Sequence, residues 1–144
     1  PNVPGVTIDD VPHEAPFVFF YKQYYWMLID QWTGLGVYRS KDADKWEKQG
    51  VILQKGGTRK EDNVRASHPC VVVAGDKAYV FYFTHPGWGK EGGWGNEAGK
   101  VDEAGVLPHI YRRSSIQVAE LKVDEAGIMT CDRNAPFDFY LPNN

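Results

Sequence analysis

Residues 13–30 read HEAPFVFFYKQYYWMLID, and this stretch decides the fold class. Aromatic and β-branched residues fill two runs, 17–21 and 24–30, which are separated only by Lys22 and Gln23. Two such runs around a two-residue connection predict a β-hairpin. The four residues His13-Glu14-Ala15-Pro16 place a histidine and a carboxylate directly before its first strand.

The same arrangement returns later in the chain. Ser67-His68-Pro69 precedes a second predicted hairpin, and Pro16 aligns with Pro69, as Trp26 does with Tyr79, at a period of 53 residues. Two further strands follow each hairpin. The eight predicted strands cover residues 17–21, 24–30, 34–40, 51–53, 71–74, 78–84, 114–123 and 127–131. Four strands per unit at this spacing are typical of β-propeller blades.

The sequence therefore predicts an all-β chain, a partial β-propeller of about two four-stranded antiparallel blades plus a terminal strand. We expect a single unit over 1–144, with one blade at 10–55 and the other at 66–133. The second blade contains a glycine-rich insertion at 86–109, and the tail strand spans 135–141. Because known propellers need at least about four blades, the missing blades are expected from an upstream segment or from a second chain, which makes a homo-oligomer the expected state.

Composition and charge exclude some classes of function. The net charge is −3 without a basic run, which argues against nucleic-acid binding. No stretch reaches the roughly 20 apolar residues that cross a membrane. Five Trp, eight Tyr and seven Phe favour strands, and aromatic rings also stack on sugars. The sequence begins at Pro1 without Met, which indicates a processed or truncated start and leaves a secreted or periplasmic location as the expectation.

The two cysteines do not form a recognisable framework. Cys70 lies in an apolar run and is predicted to be a small buried residue, and Cys131 is 61 positions away. Four histidines without regular ligand spacing argue against zinc. We therefore predict no cofactor and no metal, although a hydrated calcium ion in a propeller channel remains compatible with the sequence.

Glu14 is the first candidate for chemistry. Glycoside hydrolysis needs a protonated carboxyl near the leaving oxygen and a second carboxylate about 5–9.5 Å away. A glutamate at the mouth of a strand, crowded by aromatic rings, is expected to have the raised pKa that a general acid requires. The alternative is a solvated loop glutamate or one that caps a turn.

Seven further residues are candidates for binding a sugar. Histidines before the strands could orient Glu14, bind hydroxyl groups or hold an ion. An arginine in the same segment could hydrogen-bond a sugar hydroxyl or form an ion pair with Glu14. Residues that end the second strand of each unit could hydrogen-bond hydroxyls or stack on rings. Each has a structural alternative as a turn cap, a surface charge or a packed loop residue. These candidates are His13, Asp30, Trp32, Arg65, His68, His85 and Trp88.

Three short motifs, taken in order, resemble the five-bladed β-propeller glycoside hydrolases of the family-43 type and their relatives. Glu14-Ala15-Pro16 is similar to the element that carries their general acid. The run Gly36-Val37-Tyr38-Arg39-Ser40-Lys41-Asp42 with Trp46, and the run Ser115-Ile116-Gln117-Val118-Ala119, are similar to their blade strands. The resemblance extends over residues 10–140, on the C-terminal half of such an enzyme.

The resemblance implies that Glu14 is the general acid. It also implies that the catalytic base and the aspartate that tunes the acid lie in earlier blades, upstream of this segment. Neither Asp9 nor Asp10 matches the motif of the base. We therefore expect a portion of a glycoside hydrolase that acts on an oligo- or polysaccharide, with the base supplied from outside this chain. The alternatives are a non-catalytic carbohydrate-binding or self-assembling half-propeller and, last, a scaffold for protein partners.

Overall fold

The computed structural model describes residue 8 and residues 11–88, 103–106 and 108–139, and these residues form two antiparallel sheets of four strands each. The first sheet contains β1 (Glu14–Tyr21), β2 (Tyr24–Asp30), β3 (Leu35–Ser40) and β4 (Glu47–Ile52). The second contains β5 (Ser67–Ala74), β6 (Lys77–Thr84), β7 (Ser115–Val123) and β8 (Met129–Cys131). In both sheets the strands lie side by side in chain order.

The two sheets pack face to face around one apolar core. Blade 1 (β1–β4) contributes Trp26, Leu28 and Val37 to this core, and blade 2 (β5–β8) contributes Val80 and Tyr82. The first strands of the two blades, β1 and β5, lie against each other. Consecutive four-stranded meanders stacked through their faces are the arrangement of propeller blades, so the expected all-β, two-blade architecture is confirmed.

The hairpin turns have the backbone geometry that two directly paired antiparallel strands require. Lys22 and Gln23 connect β1 to β2 with φ angles of 46° and 68°, and positive φ at both central residues matches the twist of a tight hairpin. The matching turn in blade 2 places a glycine, Gly75, at φ 62°. The indole of Trp26 donates to the carbonyl of Tyr21 at 2.9 Å, so its only polar group is satisfied inside the core.

The repeat extends to an irregularity of the backbone. A β-bulge lies between Glu14 and Phe17 in blade 1 and between Ser67 and Cys70 in blade 2, again 53 residues apart. Within each bulge the residue before proline has a left-handed conformation, with φ 49° at Ala15 and 46° at His68. Bulges redirect side chains at the ends of strands, and here they do so at the same end of both blades.

Several sequence expectations about the secondary structure are wrong. The fourth strand of blade 1 spans Glu47–Ile52 rather than 51–53, and β5 begins at Ser67 rather than at 71. Cys70 is exposed rather than buried because it lies on the face of β5 that points away from blade 1. Most of the insertion, together with Trp94, lies outside the described residues; its ends form a 3₁₀ turn (Pro86–Trp88) and a short helix, α1 (His109–Arg112).

The tail strand expected at 135–141 is not formed in residues 135–139, its described part. Instead the rings of Phe137 and Phe139 lie 5.9 Å and 5.1 Å from the ring of Tyr79. The tail therefore contributes aromatic side chains rather than a further strand to blade 2, and its Asp138 carbonyl accepts a hydrogen bond from the Tyr79 hydroxyl at 3.2 Å. Among the described residues, no helix is long and apolar enough to cross a membrane.

A buried ion pair fastens the connection between the blades. Residues 53–66, between β4 and β5, form the linker. Within it, the carboxylate of Asp62 accepts from Arg133 at 2.8 Å, from Arg59 at 2.7 Å and from the hydroxyl of Tyr82 at 3.0 Å. Arg133, in the turn after β8, also donates to the linker carbonyls of Leu53 at 2.9 Å and Val64 at 2.6 Å. Both charged groups are fully enclosed, so each depends on the other for its solvation.

Replacing Arg133 with methionine is expected to lower the free energy of unfolding by about 3–5 kcal/mol, because the carboxylate of Asp62 stays buried without its main partner. Urea denaturation followed by tryptophan fluorescence measures the change. Arg59→Ala is the matched control, since Arg59 is half exposed and its pair is expected to contribute about 1 kcal/mol or less. Equal effects of the two substitutions would contradict this account.

Candidate functional site

The two bulges bring Glu14 and His68 together at one end of the blades. Nε2 of His68 lies 2.9 Å from Oε1 of Glu14, and the indole nitrogen of Trp32 donates to the same oxygen at 2.8 Å. Because an ionised carboxylate can only accept hydrogen bonds, Nε2 of His68 is the donor in this pair. The side chains of Glu14 and His68 are each 45% exposed, so the group faces solvent.

These contacts hold Glu14 in its ionised form. The hydrogen bond from His68, followed by that from Trp32, lowers the pKa of Glu14 below its ordinary value. The expectation of a raised pKa is therefore wrong for this chain, because Glu14 is not crowded by apolar groups and accepts two hydrogen bonds. The proposed pairing of Arg65 with Glu14 is not seen either; His68 takes that place.

Asp30 is a buried carboxylate that joins the two blades. It ends β2 and is 1% exposed. One oxygen accepts from the backbone N–H of Trp32 at 2.8 Å, and the other accepts from the backbone N–H of His68 at 3.0 Å. Both residues have positive φ, 55° at Trp32 and 46° at His68, so Asp30 supports two backbone conformations that side chains rarely adopt.

An aromatic wall forms the other side of the site. The ring of His85 stacks on that of Trp88 with the centroids 3.9 Å apart, and Phe83 lies between His85 and His68 with edge contacts of 5.1 Å and 5.0 Å. The guanidinium of Arg65 lies 5.6 Å from the centre of the Trp88 ring. The wall is anchored by the Trp88 indole, which donates to the carbonyl of Tyr111 at 2.9 Å.

Together these side chains line a cleft of about 250 Å³. Seven of the eight residues singled out from the sequence are at this cleft: Glu14, Asp30, Trp32, Arg65, His68, His85 and Trp88. His13 is not among them. Its Nδ1 donates to the carbonyl of Val11 at 2.8 Å, which makes it a local turn contact.

Ser67 and Phe83 also line the cleft and were not singled out from the sequence. The 53-residue repeat was the signal that could have found them, because Ser67 occupies the position of Glu14 and Phe83 that of Asp30. Blade 2 thus has a hydroxyl and a ring where blade 1 has two carboxylates. The acidic groups of the cleft come from blade 1.

Glu14, Asp30 and His68 are also the described residues that could hold a metal ion. One ligand atom of each lies within 4.8 Å of the others. Two carboxylate oxygens and an imidazole suit a divalent cation. In the geometry described here, however, His68 and Glu14 bond directly to each other and Asp30 accepts from two backbone amides. The expectation that no metal is bound stays a prediction.

Comparison with known proteins gives similarity at the level of the fold. No protein-family model matches the sequence, and no curated protein matches it. A thermostable family-43 glycoside hydrolase is similar with a TM-score of 0.49 and 18% identity, over 90% of this chain and 35% of that protein. The GH32 β-fructofuranosidase of Bombyx mori is similar with a TM-score of 0.44 and 15% identity, over 83% of this chain and 23% of that protein.

A variant of the Bombyx mori enzyme in complex with sucrose gives a TM-score of 0.44 at 14% identity, over 83% of this chain and 22% of that protein. These solved structures are glycoside hydrolases of families 43 and 32. This chain spans about a third or less of the length of these proteins.

Replacing His68 with alanine is expected to raise the pKa of Glu14 towards 4.5, its ordinary value, because the hydrogen bond that lowers it most is lost. Trp32→Phe removes the second donor and is expected to raise the pKa by less. An NMR titration of the Glu14 carboxyl carbon measures both shifts.

The lowered pKa of Glu14 also makes the stability of the protein depend on pH. A lowered native pKa means that Glu14 contributes stability fully at pH values above 4.5 and loses it as the pH falls through the native pKa. His68→Ala is expected to reduce this loss of stability at acidic pH, and the hydrogen bond from Trp32 retains part of it. An unchanged Glu14 pKa in His68→Ala would show that the hydrogen bond is absent in solution.

Proposed function

We propose that this chain is the acid-bearing portion of a carbohydrate-active β-propeller that hydrolyses glycosidic bonds in an oligo- or polysaccharide. The observation that carries this proposal is the position of Glu14, whose carboxylate accepts from the indole of Trp32 and lines the same cleft as the stacked rings of His85 and Trp88. A carboxyl between aromatic surfaces and polar groups fits a sugar ring and its hydroxyls.

In this reaction Glu14 would give its proton to the leaving oxygen while a base activates a water molecule on the other side of the sugar ring. Asp30 is the other carboxylate that lines the cleft, and one of its oxygens lies within 4.8 Å of an oxygen of Glu14. It is unsuited to the role of base because it is buried and both of its oxygens accept backbone N–H groups. The base is therefore proposed to come from outside this chain.

Glu14 must also be protonated to act as an acid. In this chain its pKa is lowered, and nearly half of its side chain is exposed. Covering this end of the blades with further protein and substrate would remove water from Glu14, and removal of water raises the pKa of a carboxyl group. We propose that Glu14 becomes protonated, and so able to act as an acid, only when further protein and substrate cover it.

His68 and Arg65 are proposed to bind the substrate rather than to react. His68 Nε2 fixes the orientation of Glu14, and Arg65 lies over the ring of Trp88 at the edge of the cleft. Arg65 can donate to hydroxyl groups of a sugar, and Nδ1 of His68 can accept from a hydroxyl when the imidazole is neutral or donate to one when it is doubly protonated. Asp30 acts through the backbone of His68 and Trp32, so it is a positioning residue.

A second candidate function is carbohydrate binding without hydrolysis. The lowered pKa of Glu14 and the fully used oxygens of Asp30 favour this alternative, because an ionised Glu14 accepts hydrogen bonds from hydroxyls but has no proton to give. Calorimetric titration with neutral and acidic oligosaccharides, run beside an assay for new reducing ends, separates the two. Binding without release of reducing ends would establish the binding module.

Glu14→Gln is expected to lower hydrolysis by about 10²–10⁴-fold in the complete assembly, because the amide cannot supply the proton, while the circular dichroism spectrum stays unchanged. The release of reducing ends measures the loss. Glu125→Gln, in the turn before β8, is the matched control and is expected to keep full activity. Full activity of Glu14→Gln would refute the role of Glu14 as general acid.

A further inference from the structure

The two ends of the insertion in blade 2 meet beside the cleft. The 3₁₀ turn Pro86–Trp88 follows β6, and the short helix α1 comes just before β7. Thr84 at the end of β6 pairs with Ser115 at the start of β7, so the two segments leave neighbouring positions of the sheet. Trp88, at the end of the turn, lines the cleft together with Glu14. The contact between these two short segments therefore decides where one wall of the cleft lies.

Gly87 lies directly against the backbone of α1. A methyl group on its Cα atom would overlap the carbonyl oxygen of Ile110 and would lie 2.8 Å from the carbonyl carbon. These are backbone atoms, so they cannot rotate aside as the end of a flexible side chain does. Gly87 is not one of the described glycines with positive φ. Glycine is therefore required here because two pieces of backbone touch, and not for its conformational freedom.

The residues next to this contact hold the Trp88 ring. The indole N–H of Trp88 donates to the carbonyl of Tyr111 at 2.9 Å, and Tyr111 directly follows Ile110 in the chain. The backbone N–H of Trp88 donates to the carbonyl of His85 at 3.0 Å, and the two rings stack. Any displacement of α1 away from Gly87 thus also moves the acceptor of the Trp88 indole.

The base of both segments is tied to the linker at Glu61. Its carboxylate pairs with the guanidinium of Arg113, directly after α1, at 2.6 Å. Its backbone carbonyl accepts from the hydroxyl of Thr84 at 2.6 Å. Nδ1 of His85 donates to the carbonyl of Arg113 at 3.2 Å, which joins the two segments to each other. Since the base is held, a side chain at Gly87 is expected to separate the segments at the contact between the turn and α1.

A row of contacting side chains connects the Trp88 ring to the carboxylate of Glu14. The residues between them are His85, Phe83 and His68. The cleft that they line measures about 250 Å³, so a small displacement of its wall changes its shape appreciably. Dispersion contacts between an aromatic ring and a bound molecule weaken steeply as the two separate. The affinity for a sugar is therefore expected to depend on the position of Trp88 even where Glu14 is unaffected.

We propose that Gly87 is a positioning residue for sugar binding, because its backbone contact with Ile110 holds the ring of Trp88 where a sugar stacks in the cleft. Gly87 does not itself line the cleft, so it acts through Trp88. This inference rests on the proposed function, since it assigns a sugar to the Trp88 ring as its ligand. The position of the ring and its role in binding are therefore tested by separate measurements.

NMR spectroscopy of the unliganded chain tests the position of the ring. The indole N–H resonance of Trp88 is assigned by its absence from the spectrum of Trp88→Phe. Gly87→Ala is expected to shift this resonance and to speed its exchange with deuterium roughly five- to tenfold, because the hydrogen bond to Tyr111 is weakened. The indole of Trp26, in the core, is expected to keep its exchange rate. An unchanged Trp88 resonance in Gly87→Ala overturns the proposal.

Gly75→Ala is the matched control. Gly75 lies in the turn between β5 and β6, at the end of these strands remote from the cleft, and a methyl group there meets no atom within 4 Å. Its φ of 62° makes alanine unfavourable, so this variant loses stability without displacing the wall. It is expected to keep the wild-type Trp88 resonance, and urea denaturation compares the stabilities. An equal shift of that resonance in both variants would show that the effect follows stability rather than position, which overturns the proposal.

Calorimetric titration of the chain with linear oligosaccharides of glucose, mannose, xylose or arabinose units tests the role in binding. Trp88→Ala and Gly87→Ala are each expected to weaken binding about 2- to 10-fold, and Gly75→Ala is expected to keep the wild-type affinity. The double variant of Gly87 and Trp88 is expected to bind no more weakly than Trp88→Ala, because the ring through which Gly87 acts is gone.

Two results of this titration overturn the positioning role in binding. One is a Gly87→Ala chain with wild-type affinity, and the other is a double variant in which the two losses multiply. A wild-type chain that binds none of these sugars overturns the proposed function and, with it, the part of this inference that concerns sugar. The exchange rate of the Trp88 indole then still decides whether Gly87 fixes the ring.

Discussion

The buried pair of Asp62 and Arg133 is the interaction on which the rest of the structure depends. Two stacked sheets share an apolar core, but apolar contacts alone do not fix how one sheet is rotated on the other. Arg133 joins the end of blade 2 to the linker through three linker residues, Leu53, Asp62 and Val64. Since an enclosed charge loses its water, any rotation that separates the pair is costly. The linker and the last turn of the chain are thereby held in one arrangement.

This arrangement of the two blades brings residues from both repeats together in one site. Glu14 and His68 lie on different sheets and 54 positions apart, yet their side chains meet at 2.9 Å. Asp30 stabilises the same contact between the blades, because its carboxylate accepts from the backbone amide of His68. The electrostatics of the cleft follow from this contact, because the donors that lower the pKa of Glu14 are Trp32, just after β2 in blade 1, and His68, at the start of blade 2.

The parts of the fold that repeat could be predicted from the sequence. The aromatic runs fixed both hairpins, and the alignment of Trp26 with Tyr79 also gives the register, since both residues pair with the equivalent partner in their sheets. Most of the cleft could be predicted for the same reason, because residues at equivalent strand ends lie together in stacked blades. His13 was misplaced because it lies one residue before the strand, where the chain turns away to bond Val11.

The parts that the sequence did not reveal depend on contacts between distant positions. Nothing near Arg133 or Asp62 in the sequence marks them as a pair, because they are 71 residues apart and each is an ordinary charged residue in a polar turn. The pKa of Glu14 was predicted in the wrong direction because it depends on whether the group is enclosed or accepts hydrogen bonds. Cys70 was assigned to the core because an apolar run does not show which face of a strand is covered.

The two bulges show how one backbone conformation can carry different side chains at the same position of a cleft. Ala15 and His68 have nearly the same backbone conformation, with φ angles of 49° and 46°, although one carries a methyl group and the other an imidazole. The shape of the bulge is therefore set by strand pairing and by the proline that follows, not by the side chain it carries. Because the backbone at this position is the same in both repeats while the side chain differs, each repeat can carry its own chemistry on one unchanged scaffold.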